Sequence, residues 1–149
     1  NEIMSLIFTH SLITFILLGL ILVIQIVHYP FFNFLTINDS KEAFKFHQQR
    51  ISLIVAPLMI VELFIGIYLA YSMWKIFPII QIINLTLIII IWIHTFLIMV
   101  PIHNHLEKNF SKDLVCRLVK QNWIRTFAWL IKSLLWALIL WHILTSHHI

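Results

Sequence analysis

Charge is scarce in this chain. Only 11 % of its 149 residues are charged while 61 % are hydrophobic, and a soluble domain of that size could not hide so much apolar surface. A mean hydropathy of +0.97 places it in lipid. Glycine and proline are also few, two and four, which leaves little material for flexible linkers and implies one domain over residues 1–149. Cysteine is rarer still. With Cys116 alone, an internal disulfide is excluded, as is the thiol-pair chemistry of quinone reductases. The net charge of +4 does not point to nucleic acid, because cations this sparse that cluster beside apolar spans serve membrane orientation. The N-terminus lacks a basic region and a small-residue cleavage site, and its first apolar run is too long for a leader. No cleavable signal peptide is expected.

Four apolar windows remain, at about residues 5–28, 51–71, 76–100 and 123–144. Each is long enough, at about 1.5 Å per residue, to cross a hydrocarbon core of about 30 Å. The short link Ser72-Met73-Trp74-Lys75 makes the second and third an antiparallel hairpin. The expected fold is therefore all-α, an integral membrane four-helix up-and-down bundle. Pro30 is expected to stop the first helix, next to the belt aromatics Tyr29, Phe31 and Phe32. Asn38-Asp39-Ser40 reads as a turn, with Asp39 and Glu42 as a capping box that starts the second helix at Lys41. Pro57 removes one backbone bond and bends that helix near Leu53. The third helix is expected to leave the bilayer at Pro101, and Ser111 caps a fourth helix with Asp113 in its first turn.

Basic residues set the orientation. One long link holds Lys41, Lys45 and Arg50, and the other holds Lys108, Lys112, Arg117, Lys120 and Arg125, against Lys75 alone on the opposite side. The positive-inside rule makes both rich links cytoplasmic and both termini non-cytoplasmic.

Three groups of side chains carry candidate chemistry. At the inner boundary lie His28, His47, His103 and His105, imidazoles from three helices that would give a transition metal, iron or copper, nitrogen ligands, with Glu107 or Asp39 as oxygen donors. No HxxxH or ExxH spacing marks a ligand pair on one helix, and histidine at an interface also serves simply to bridge water and lipid. Near the outer face, His10 and His142 sit on neighbouring first and fourth spans, about 25 Å from the inner boundary, and would be axial ligands of a b-type haem. Gly19 and Gly66 are the obvious space-makers for its ring. The third group is buried charge: Glu62, His94 and Lys132. A pairing of Glu62 with Lys132 or with His94 would offset the cost of ionisation in lipid, in a proton relay, a substrate contact or a structural ion pair. Arg125, Trp129, Lys132 and Trp136 share one stripe of the fourth span. That stripe either lines a pocket for an anionic or aromatic ligand or packs between helices. Gln25, Gln81, Asn84 and Thr95 suit interhelical hydrogen bonds.

The strings His28-Tyr29-Pro30-Phe31-Phe32, Pro57-Leu58-Met59-Ile60-Val61-Glu62, Val100-Pro101-Ile102-His103 and Asn122-Trp123-Ile124-Arg125-Thr126-Phe127-Ala128-Trp129 together resemble a group of small four-span bacterial inner-membrane proteins. More loosely they resemble the anthrone-oxygenase-like and copper-resistance-D-like four-helix membrane domains. The resemblance implies a bacterial inner membrane and, through the looser relatives, oxygen or copper chemistry. No motif matches theirs position by position, so no catalytic residue is carried over.

The leading expectation is a membrane oxidoreductase that holds a transition metal or haem and acts on a lipophilic substrate. His28, His47 and His103 would ligate, Glu62 and His94 would handle protons, and Arg125 and Lys132 would position the ligand. The rival is a non-catalytic accessory subunit of a larger membrane complex, or a small carrier. The lipid-facing surface of four spans would also allow a homo-oligomer.

Overall fold

The computed structural model describes residues 2–146, and of residues 37 and 38 the backbone alone. Four long helices account for nearly all of it: α1 (Glu2–Phe34), α2 (Ile37–Ser72), α3 (Pro78–Lys108) and α4 (Lys112–Ser146). No strand occurs among the described residues. Neighbours in sequence are neighbours in space, and α4 closes the ring by packing against α1. This is the all-α up-and-down bundle that the apolar windows predict. Every helix is long and apolar enough to cross a membrane, and the protein is a multi-pass membrane protein.

The surface has the character that lipid selects. Leu53, Ile79 and Leu97 face outward at 70 %, 71 % and 72 % exposure, while His10, Thr14, Gln81, Asn84, Asn122 and Lys132 are wholly or almost wholly enclosed. In water such an arrangement would be inside out. In a bilayer the apolar exterior costs nothing, and an enclosed polar group is costly unless it finds a partner within the bundle.

The helices run well past the apolar windows, since a helix of this length spans about 50 Å against a hydrocarbon core of about 30 Å. The extra turns gather at the end of the bundle where α1 joins α2 and α3 joins α4, and there Tyr29, Phe32, Phe44, Ile102, Leu106, Val115 and Leu118 are buried together. One expected helix stop is corrected by the structure. Pro30 does not end α1, which continues as a short turn of α-helix and then of 3₁₀-helix to Phe34. Pro101 likewise sits inside α3, which runs on to Lys108. In both cases a π-turn lies just before the proline, Ile24–His28 in α1 and Thr95–Met99 in α3. The widened turn takes an extra residue into the coil, so the ring can enter without breaking the helix. Pro57 is carried within an unbroken α2.

The start of α2 is also corrected. The turn falls at Leu35 and Thr36, and Thr36 is the cap, its side chain accepting from the Asp39 backbone N–H while its hydroxyl donates to the Asp39 carboxylate. A threonine oxygen at that position satisfies an N–H that the first helical turn leaves free, so the helix begins at Ile37, earlier than Lys41. Ser111 behaves as expected, its hydroxyl accepting from the Leu114 N–H at 3.2 Å.

One polar clamp ties α1 to α4. The Gln25 amide donates to the Val119 carbonyl at 3.0 Å, and its carbonyl oxygen accepts from Asn122 at 2.8 Å and from Thr126 at 3.3 Å. Interhelical bonds in membranes contribute modestly, so Gln25→Leu is expected to lower stability by about 1–2 kcal/mol, mainly through the stranded Asn122 amide, since Thr126 keeps the Asn122 backbone carbonyl as its acceptor. Thermal unfolding in detergent measures this. A loss above about 4 kcal/mol would mean that the clamp specifies the pairing of the two helices rather than adding to it.

Candidate functional site

Burial in lipid makes each enclosed polar side chain expensive, so the places where several meet are the places to seek function. They form three levels along the bundle axis. The middle level is built on charge. Lys132 of α4 meets Glu62 of α2 at 2.6 Å, with the two side chains 0 % and 2 % exposed. Thr14 of α1 donates to the same carboxylate at 2.8 Å and the Trp129 indole donates to its second oxygen at 3.3 Å. Two donors and a cation from two other helices thus hold one carboxylate. Of the two pairings open in the sequence, the one with Lys132 is made. His94 instead faces α4 and shares a 3.2 Å hydrogen bond with Gln121.

On the side of this pair nearer the ends of the chain lies a layer of His10, Asn84 and Trp136. The Trp136 indole donates to the Asn84 carbonyl oxygen at 3.0 Å, and its ring packs on that of His10 with centroids 4.5 Å apart. Neither nitrogen of His10 has a hydrogen-bond partner among the described residues. Gly66 lets this layer close, since a Cβ there would stand 3.1 Å from His10 Cε1 and 2.8 Å from the Ile88 side chain. The space that glycine provides is therefore filled by imidazole and isoleucine. Gly19 opens onto no neighbour at all.

His142 does not join this layer. It is exposed near the end of α4, with its ring against Phe77 at 5.6 Å, while His10 is enclosed by Trp136 and the closely packed Gly66. The pair that the sequence offers to a haem is thus set in different surroundings, one ring enclosed and the other exposed.

The third level, at the end where α1 joins α2 and α3 joins α4, gathers His28, Tyr29, His47 and His103. The rings of His28 and His47 meet edge to face at 4.8 Å, and Tyr29 Oη lies 3.1 Å from His103 Nε2. Phe44 packs against His103 at 5.5 Å and Phe32 against His47 at 5.7 Å. His105 is not brought to this cluster; it is exposed on the opposite side, beside Arg117 and Gln121. Three of the four inner histidines are therefore assembled, yet among the described residues no three histidine, cysteine or acidic groups converge as a metal site. His28 Nδ1 and His47 Nε2 are enclosed without partners.

Above this cluster a groove of about 300 Å³ opens between α2 and α3. Its walls are apolar, with Val55 and Met59 on one side and Trp92 and Met99 on the other, and Ser52, Ala56 and Phe96 stay exposed at its mouth. Tyr29, His103 and Arg125 supply polar groups to its lining. Arg125 is 6 % exposed and its guanidinium lies over the Trp129 ring, 5.5 Å from the centroid. A larger depression of about 710 Å³ lies at the other end of the bundle, where exposed Tyr71, Trp74 and Lys75 suit a headgroup belt. Volume alone does not make a site, and the smaller groove has the convergent buried polar groups.

Regular helical spacing favours His28 as an inward-facing residue of α1 and hides Tyr29. The π-turn explains the difference, because an extra residue in the coil rotates the rest of the helix by roughly one position. Tyr29 is 3 % exposed and His28 only half-buried. A proline two residues beyond the turn, Pro30 and Pro101, is the sequence cue to it. Comparison with protein-family models, curated proteins and solved structures finds no match to this chain.

Proposed function

We propose that this membrane protein takes a lipophilic molecule from the bilayer into the groove between α2 and α3 and holds its polar end beside Tyr29, His103 and Arg125. One observation carries this reading: an apolar cleft with its mouth toward lipid and buried hydrogen-bonding groups in its lining. The two π-turns support it. Both contribute to the lining, through Ile24 from one and Thr95 and Met99 from the other, and such turns are frequent at functional sites.

The groove can be closed by one substitution. Ala56→Trp at the mouth is expected to lower the amount of lipophilic compound retained through purification in mild detergent by about tenfold, a loss of ~1.4 kcal/mol of binding. Mass spectrometry of the extracts measures it. Equal retention by an Ala56→Trp protein of unchanged thermal stability would place the compound elsewhere and overturn the reading.

A redox or oxygen-dependent step on that molecule is the finer version of the proposal, with a transition metal at the inner rim. It draws on the unpartnered nitrogens of His28 and His47, which leave lone pairs for a cation in a position next to the bonded Tyr29 and His103. Metal analysis and an absorption spectrum of purified protein test it. Metal that is lost with His47→Gln supports the step. A colourless, metal-free protein that still retains its lipophile points instead to the accessory or carrier role.

A further inference from the structure

Arg125 is a cation enclosed in a membrane protein with no acidic partner. Among the described residues the one ion pair joins Lys132 to Glu62, and no hydrogen bond from Arg125 to another side chain or to backbone occurs. Its Nε is enclosed without an acceptor, and its guanidinium lies over the face of Trp129, with Tyr29 and His103 in the same lining. A cation–π contact on one face leaves the in-plane donors of the guanidinium unused. Such a group is costly in lipid unless an anion meets it, and it sits in the lining of the groove.

We infer that the molecule bound in the groove is a single-chain amphiphile with a carboxylate head, and that Arg125 is its counter-charge. The inference rests on the groove being the binding site for a lipophile. Carboxylate is favoured because its two oxygens match the planar fork of one guanidinium. One chain is favoured because the cleft is a single slot of about 300 Å³ between two helices. Tyr29 and His103, whose side chains already share a hydrogen bond, stand in the same lining, and one of the two can donate to the head as well: the Tyr29 hydroxyl when His103 Nε2–H donates to it, or His103 Nδ1–H when Tyr29 is the donor. The apolar walls from Val55 to Met59 and from Trp92 to Met99 then receive the chain, whose far end passes between Ala56 and Phe96 into the bilayer.

Trp92 lies in the groove wall, so a brominated fatty acid reports its own arrival by quenching indole fluorescence. The protein in phosphatidylcholine nanodiscs is titrated with dibromostearate and, separately, with its neutral methyl ester. Wild type is expected to bind the acid about ten- to hundredfold more tightly than the ester, the range for one charge-assisted hydrogen-bonded contact. Arg125→Gln is expected to remove that preference while leaving ester binding in place, and Arg125→Lys is expected to keep part of it.

Equal binding of acid and ester by wild type overturns the anionic head but leaves the groove standing. No saturable quenching by either compound overturns the groove reading itself. Tighter binding of brominated phosphatidylglycerol than of the acid overturns the single-chain carboxylate in favour of a lipid phosphate. The wild-type arms need no variant, so a poorly folding Arg125→Gln protein does not block the decision.

Discussion

Glu62→Gln is expected to destabilise the bundle by about 3–5 kcal/mol, because it leaves the Lys132 ammonium enclosed in lipid with no counter-charge. The expectation is asymmetric. Lys132→Met should cost less, since the Glu62 carboxyl keeps its Thr14 and Trp129 donors and can take up a proton, leaving no charge to solvate. Replacing both, Glu62→Leu with Lys132→Met, should recover most of the loss, as apolar substitutes for buried ion pairs commonly do. Unfolding of the purified proteins in detergent orders the three. If the double variant is no more stable than Glu62→Gln, the pair is a determinant of helix register, because Thr14, Trp129 and the two charges then act as one unit that a hydrophobic core cannot replace. A double variant that regains stability and still binds its lipophile would remove Glu62 and Lys132 from the chemistry. Loss of function at restored stability would keep them in it.

Gly66→Leu is expected to prevent the native packing of the half of the bundle that holds His10 and Trp136. Even the first carbon of a side chain would stand 2.8 Å from Ile88 Cδ1 and 3.1 Å from His10 Cε1, and overpacking of this kind typically costs about 1–3 kcal/mol before any larger atoms are added. Gly66→Ala is milder, because the end of the Ile88 side chain can turn away and alanine returns about 1 kcal/mol of helix propensity. His10 cannot yield as easily. Its ring is packed on Trp136, whose indole is bonded to Asn84. Combining Gly66→Leu with His10→Ala should therefore recover part of the loss, and a double-mutant cycle on thermal unfolding measures the coupling. Purely additive effects would show that His10 is not what the glycine makes room for.

These two sites mark where the sequence is legible. Glu62 and Lys132 announce themselves as ionisable residues deep in apolar runs, and their pairing is among the options that helix depth allows. Gly66 is visible as a place where helices approach, but its neighbour is not. Depth along an axis follows from residue count; rotation about the axis does not, once a π-turn has inserted a residue. For that reason Tyr29 escapes a reading based on regular spacing, and His105 is grouped with histidines that the structure sets on another side of the bundle. The groove is equally hidden, since its main walls come from two helices and its polar lining from all four.

What the sequence determined by itself is the solvent and the architecture. Runs of isoleucine, leucine and phenylalanine with almost no charge can only be satisfied in lipid, and in lipid only structures that bond their own backbone are stable, so four such runs with short links make a four-helix bundle. Tertiary structure decided which polar groups meet. That Lys132 is paired while Arg125 is not depends on which faces the helices turn toward one another, and this rests on packing and on two π-turns whose effect no residue count contains.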